Sequence, residues 1–184
     1  DKTGILKVEI GISNITNLLT SDEKNNYPCV KGIDIKQYGL KENPRFLDGK
    51  IAEKYLAFVE DEKIIGQEII AHILKPIPHI QITLFLDTKH RLFNDTCVQI
   101  LPKHPEINNR FLLGFLQSTF CNWYAYNFIY NRAIRTMHLI DYYVAQIPIP
   151  KVVVENPNSQ KSIIELVDKI ISLTSLVDHS NDMK

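Results

Sequence analysis

Apolar residues in the first hundred positions fall into short β-branched runs separated by turn clusters, a spacing that predicts strands. The runs are Gly4 to Ile10, Tyr55 to Val59, Glu68 to Leu74, Ile80 to Leu86 and Thr96 to Leu101. Asn43-Pro44, Asp48-Gly49, Pro76-Ile77-Pro78 and Phe93-Asn94-Asp95 supply turn chemistry between them, so mostly antiparallel pairing is expected. After Pro105 the period changes. Leu112, Leu116, Phe120, Trp123 or Tyr124, and Phe128 recur at steps of three and four, with Asn108 or Asn109 placed to cap the start, which predicts a largely buried helix. A second stripe, Ile163, Leu166, Val167, Ile170, Leu173 and Val177, follows Asn156-Pro157-Asn158, while Lys161, Glu165, Asp168 and Lys169 keep the opposite face polar. Something must cover that stripe, either this domain or a neighbouring helix. The expected fold class is α+β: a twisted, mostly antiparallel β-sheet domain followed by a buried helix and a C-terminal amphipathic helix. The sheet domain is placed at residues 1–154, the amphipathic helix and tail at 155–184.

With 184 residues and 45% apolar content, the chain can bury a core without disulfide or metal staples. Formal net charge is zero, so bulk charge argues neither for nor against a polyanionic partner. Its distribution is uneven: between Ile69 and Ile140 there are seven Lys/Arg against three Asp/Glu, and five of the six histidines. A basic middle on a neutral chain can form one positive face. Cys29, Cys97 and Cys121 lack metal-ligand spacing and read as reduced thiols of a cytoplasmic protein. No apolar run approaches the ~18 residues that span a bilayer, and no signal peptide opens the chain, so no membrane partner is expected. A first residue of Asp rather than Met leads us to expect a piece of a longer protein.

Catalytic constellations are missing from the sequence: it has no Gly-rich phosphate loop, no Gly-x-Ser-x-Gly elbow and no His-Glu-x-x-His pair. Glu60-Asp61-Glu62-Lys63 has the residue types of a metal-dependent nuclease site but no upstream Pro-Asp pair, and it reads as a solvated charged turn before a strand. His72, His79, His90, His104 and His138 are too scattered for spacing to identify ligands. Binding chemistry is better represented. Lys75, His79, Lys89, His90, Arg91 and Asn94 lie in or beside the turns flanking Ile80 to Leu86 and could project together from one end of a sheet. Asn127 to Thr136 combines Asn131, Arg132 and Arg135 with no acid to pair with them. Lysine and arginine neutralise phosphates, and arginine and asparagine carry the bidentate geometry that distinguishes base edges. Arginines closing a helix also gain from its dipole, which is the structural alternative.

The order of several motifs resembles a known family. Lys31-Gly32-Ile33-Asp34-Ile35-Lys36-Gln37-Tyr38 is similar to the "lysine/arginine, glycine, x, aspartate, isoleucine, two residues, tyrosine" motif of TaqI-like C-terminal specificity domains. Gln67 to His72 resembles that family's next strand, Asn94-Asp95-Thr96-Cys97-Val98 its "asparagine, aspartate, threonine" opening, Leu112 to Ser118 its leucine-rich helix, and Tyr143 to Pro150 its closing proline signature. Gln117 stands where asparagine is usual, and Gln67-Glu68 replaces a common basic residue, which argues against a phosphate contact there. Type I restriction specificity subunits share the last two motifs.

The resemblance implies a DNA target-recognition module of a type II restriction-modification adenine methyltransferase, non-catalytic in itself. A separate N-terminal domain of the same parent would bind S-adenosylmethionine and carry the chemistry, and no cofactor is expected here. The partner is double-stranded DNA. In this scheme Lys31, Lys75 and Lys89 meet phosphates, His79 lies alongside them, and Arg91, Asn94, Asn131, Arg132 and Arg135 approach base edges. The competing readings are a protein-interaction module using the Ile163 to Val177 stripe, and half of a type I specificity subunit.

Overall fold

In the computed structural model, which describes residues 5–41, 43–133 and 136–181, a four-stranded sheet joins β1 (Leu6–Ile10), β11 (Cys97–Pro102), β6 (Lys63–Gln67) and β9 (Leu84–Asp87) in that order, all antiparallel. Three smaller sheets surround it. One orders β10 (Leu92–Phe93), β2 (Asn26–Val30) and β5 (Phe46–Asp48), with β10 and β2 parallel. Another orders β12 (Met137–His138), β7 (Ile69–Ile73) and β8 (His79–Gln81), and the last is the hairpin of β3 (Ile35–Lys36) and β4 (Gly39–Leu40). The helices are α1 (Gly49–Ala52), α2 (Asn109–Leu116), α3 (Thr119–Tyr124), α4 (Asp141–Val144), α5 (Val152–Glu155) and α6 (Lys161–Asn181). The architecture is α+β and almost wholly antiparallel, as the sequence pattern predicts.

The register aligns Val8, Ile100, Ile64 and Leu86 across the main sheet. Side chains alternate along a strand. Leu6, Ile64, Leu84, Val98 and Ile100 therefore face one core with α2, while Ile65, Phe85 and Cys97 face a second core with Val30, Leu47 and Phe93. A sheet covered on both faces explains why Ile64-Ile65 and Cys97-Val98 read as continuous apolar pairs rather than alternation.

Three expectations are corrected. Tyr55 to Val59 is not a strand: the amides of Tyr55, Phe58 and Val59 return to carbonyls three residues back, making tight turns directly after α1. Ile80 to Leu86 is not one strand, because Asn122 Oδ1 takes the Ile82 N–H and Gln117 Oε1 takes the Leu84 N–H, which divides β8 from β9. The buried helix also ends sooner than its periodicity suggests. α2 is capped by Asn108 and buries Phe111, Leu112, Leu113 and Leu116, but Ser118 starts α3 afresh, and one π-helical turn (Ala125–Ile129) follows. Phe120, Trp123 and Phe128 consequently point outward.

The terminal helix splits its stripe. Val167 is buried and Ile163, Ile164 and Ile171 pack beside it, with Gly114 of α2 so close that an added Cβ would lie 2.6 Å from Val167 Cγ2. Leu166, Ile170, Leu173 and Leu176 remain exposed, and the side chain of Val177 lies outside the described residues.

Candidate nucleic-acid interface

The motif residues from Lys31 onward hold the scaffold together. The buried Asp34 carboxylate accepts from the Lys31 N–H, Asn43 Nδ2 and Arg45 Nε, the last at 2.7 Å. Gly32 donates its N–H to Thr96 Oγ1, and Gln67 Nε2 reaches the carbonyls of Gly32 and Ile35. Only glycine fits at position 32, since a Cβ there would stand 2.6 Å from the Thr96 carbonyl oxygen. Lys31 opens this turn half-buried.

Asn94 belongs to the same framework, a correction to the expectation that it approaches a base. It is fully buried; Nδ2 donates to Thr16 Oγ1 and Oδ1 accepts from the N–H and Oγ1 of Thr96. Its amide is consumed in closing the turn before β11. Lys63 is a second correction, because it is no part of a solvated turn. Lys63 and Asp87 are fully buried, bonded at 2.7 Å, and Asp87 also receives the Arg91 N–H and guanidinium. Burial pulls the Lys63 ammonium below its ordinary pKa despite Asp87. Burial pushes the Asp87 carboxyl up, and its bonds to Lys63 and Arg91 reverse that, leaving it below the usual carboxylate range.

The other expected contacts separate into two grooves instead of sharing one sheet end. Lys89 and Arg91 line a groove of about 760 Å³ with Lys41 and Arg45, bordered by Ser175 of α6. His79 and Arg132 line another, of about 680 Å³, between β8 and the α3 region. Asn131 lines a recess beside the second groove that shares Trp123, Asn127 and Arg132 with it. Lys75 is exposed at the tip of the β7–β8 hairpin. Arg135 lies outside the described residues.

Local geometry places Arg132. The π-helical turn closes with Tyr130 N–H on Ala125 O and Arg132 N–H on Tyr126 O. Asn131 and Arg132 both adopt left-handed backbone, φ 49° and 56°. Asparagine tolerates that region; arginine does so at a cost, and such residues cluster at functional sites. Arg132 Nε then donates to Asn127 Oδ1 at 2.8 Å. The contrast with other arginines is informative. Arg45 pairs with Asp34, Arg91 with Asp87, and Arg110 with Glu62 and Asp168, whereas among the described residues Arg132 has only a neutral amide partner. Its charge is open to an incoming acceptor.

Sequence reasoning misses Gln81, Asn122 and Trp123 at this groove, since the periodicity puts Trp123 or Tyr124 in the buried stripe. The signal for it, an aromatic ladder of the exposed Phe120, Trp123 and Phe128 with the half-buried Tyr124, depends on where α3 breaks. Little supports covalent or metal chemistry among the described residues. No group of three or more metal-ligating side chains converges. Burial pushes the thiols of Cys29 and Cys121 up to about 12 and that of Cys97 higher still, so none is a ready thiolate. No described helix is long and apolar enough to cross a membrane.

The chain was compared with known proteins. The TaqI-like C-terminal specificity domain matches residues 27–149. No curated relative matches. Among solved structures, a chain from work on the complex assembly and conformational transition of the type I R-M system aligns over 97% of this chain and 39% of its own, at 10% identity and TM-score 0.50. The HsdS subunit from Thermoanaerobacter tengcongensis aligns over 96% and 37%, at 12% identity and TM-score 0.47. This chain thus spans well under half the length of either structure, and at such identities the likeness is one of fold. The match over the motif series is decisive: this chain belongs to the TaqI-like C-terminal specificity domain family.

Proposed function

We propose that this chain reads a DNA target sequence for a restriction-modification adenine methyltransferase, with the β8–α3 groove meeting base edges. The observation that carries this is Arg132, a guanidinium without a carboxylate partner among the described residues, oriented by Asn127 and set beside Gln81, whose amide suits an adenine edge. Lys75 at the hairpin tip and Lys89 at the other groove would meet phosphates on either side, with Asn131 and His79 at the groove margin. Arg91 is tied to Asp87, which suits it to shaping its groove more than to reading a base. The chain carries no methyl-transfer machinery in this scheme; S-adenosylmethionine belongs to the catalytic domain of the parent. Residues 1–154 would read DNA, and the exposed seam of α6 would face a partner, an arrangement equally compatible with one half of a type I specificity subunit.

Selection from a randomised duplex library tests the reading. Arg132→Ala should relax preference at one position by roughly 1–3 kcal/mol. Lys75→Ala should weaken all sequences alike and reduce the salt slope by about one. Unchanged preference in Arg132→Ala would remove the groove from the interface.

A further inference from the structure

The floor of the β8–α3 groove contains a donor the fold does not use. Gln117 lines the groove and is 7% exposed. Its Oε1 accepts the Leu84 N–H at 3.0 Å, which fixes the amide, and its Nε2 has no partner among the described residues. Buried donors are nearly always satisfied, so an acceptor arriving from outside is the natural complement. The neighbouring amide is no substitute. Asn122 Oδ1 takes the Ile82 N–H at 2.7 Å and its Nδ2 donates to Ser118 O.

The walls specify the rest of the ligand. Ile77, Pro78, Ile80 and Tyr126 make them largely apolar, and Trp123 stands at the rim with its ring about half exposed. Phe128 braces that ring edge-on, with centroids 5.4 Å apart and an interplanar angle of 73°. A cleft with apolar walls, one unpartnered buried donor and one aromatic plate, bordered by the polar side chains of His79, Gln81 and Arg132, suits a flat, neutral heterocycle bearing a hydrogen-bond acceptor. A polar floor below an apolar wall is also out of reach of a base that remains stacked in a duplex.

Building on the DNA-recognition reading, we propose that this groove holds a single nucleobase swung out of the duplex, stacked on Trp123, with a carbonyl oxygen or ring nitrogen of the base accepting from Gln117 Nε2. Unstacking costs least at mismatched or unpaired positions. Guanine, thymine and cytosine offer a carbonyl oxygen and adenine a ring nitrogen, so every base carries an acceptor for this donor and the contact does not select among them.

Trp123 is the single tryptophan of the chain, and its emission reports on this groove alone. The probes are one duplex fully paired, the same duplex with a one-nucleotide bulge of each base, and the same with an abasic bulge. All four base bulges should quench the emission and bind at least roughly fivefold tighter than the abasic bulge. Gln117→Glu keeps an acceptor for the Leu84 N–H but loses the donor and should weaken every base bulge by roughly fivefold toward the abasic one, while Trp123→Leu should erase the advantage of bulged over paired DNA. Thermal melting checks that both variants fold. Equal binding of base and abasic bulges, with the paired duplex still bound in a salt-dependent way, overturns the base pocket and leaves the DNA-recognition reading standing. Failure of every duplex to bind at low salt overturns both.

Discussion

Asp87→Asn is the substitution with the largest calculable consequence. Asp87 and Lys63 are fully buried at 2.7 Å from one another, and the same carboxylate accepts the N–H and guanidinium of Arg91. The neutral amide leaves the Lys63 ammonium with the Glu60 carbonyl at 2.9 Å as its remaining recorded partner and places an NH2 against one of two cations. Removing one member of a buried pair costs about 3–5 kcal/mol, because the other charge stays desolvated. In a chain of this size that lowers Tm by roughly 6–20 °C. The pH dependence has a definite sign. Asp87 is held below its ordinary value of 3.8, so its contribution is complete above that value and is lost as pH falls through the lowered one. Calorimetry of wild type and variant should therefore show a Tm gap that is constant near neutrality and closes in strong acid. Lys63→Met with Asp87→Leu should recover much of the loss, since apolar replacement of a buried pair is often neutral or better. A Tm change under ~2 °C in Asp87→Asn would mean that the ammonium is neutral or reaches water, and would refute the reasoning.

Other consequences are local. Gly114→Ala drives a methyl to 2.6 Å from Val167 Cγ2 and 3.1 Å from Ile163 Cγ2, so overpacking of about 1–3 kcal/mol should exceed the helix-propensity gain of about 1, and Val167→Ala should rescue it in the same melt. Gln160→Leu removes bonds to the Asn108 N–H and the carbonyls of Glu106 and Val153, which predicts a loss of roughly 3 kcal/mol in chemical denaturation, near 1 per bond. Leu166→Gln with Leu173→Gln should change stability by no more than about 0.5 kcal/mol, because both side chains are exposed; a larger loss would show the seam covered within the chain.

How much was legible follows from the range of the interactions involved. The sheet class, the cap at Asn108 and the start of the terminal helix depend on neighbours within a few residues, and pattern reading finds them. The acid-free stretch around Arg132 is visible too, and the fold leaves that charge beside a neutral amide. Where reading failed, partners were distant in sequence. Asn122 and Gln117 reach 40 and 33 residues back to interrupt an apolar run, and no local propensity records that. Asn94 looked like a base reader because its amide chemistry is the same whether it closes a turn or meets adenine.

Arginine shows the same limit most sharply, and it bears on how the interface should be sought. Arg91 and Arg132 were equivalent as residues in a basic segment. The fold separates them: one is spent on a carboxylate four residues away, itself held by a buried lysine, and the other is carried by a strained left-handed turn to the edge of an apolar groove. A neutral chain can therefore present positive charge to DNA without a basic surface overall. It needs a few cations that its own acids do not reach, and among the described residues Lys75, Lys89 and Arg132 show no carboxylate partner while Arg45, Arg91 and Arg110 do. Summed charge hides this distinction, and a double variant tests it. Lys75→Ala with Lys89→Ala should reduce the salt slope of duplex affinity by about two, whereas Arg110→Ala should leave it unchanged.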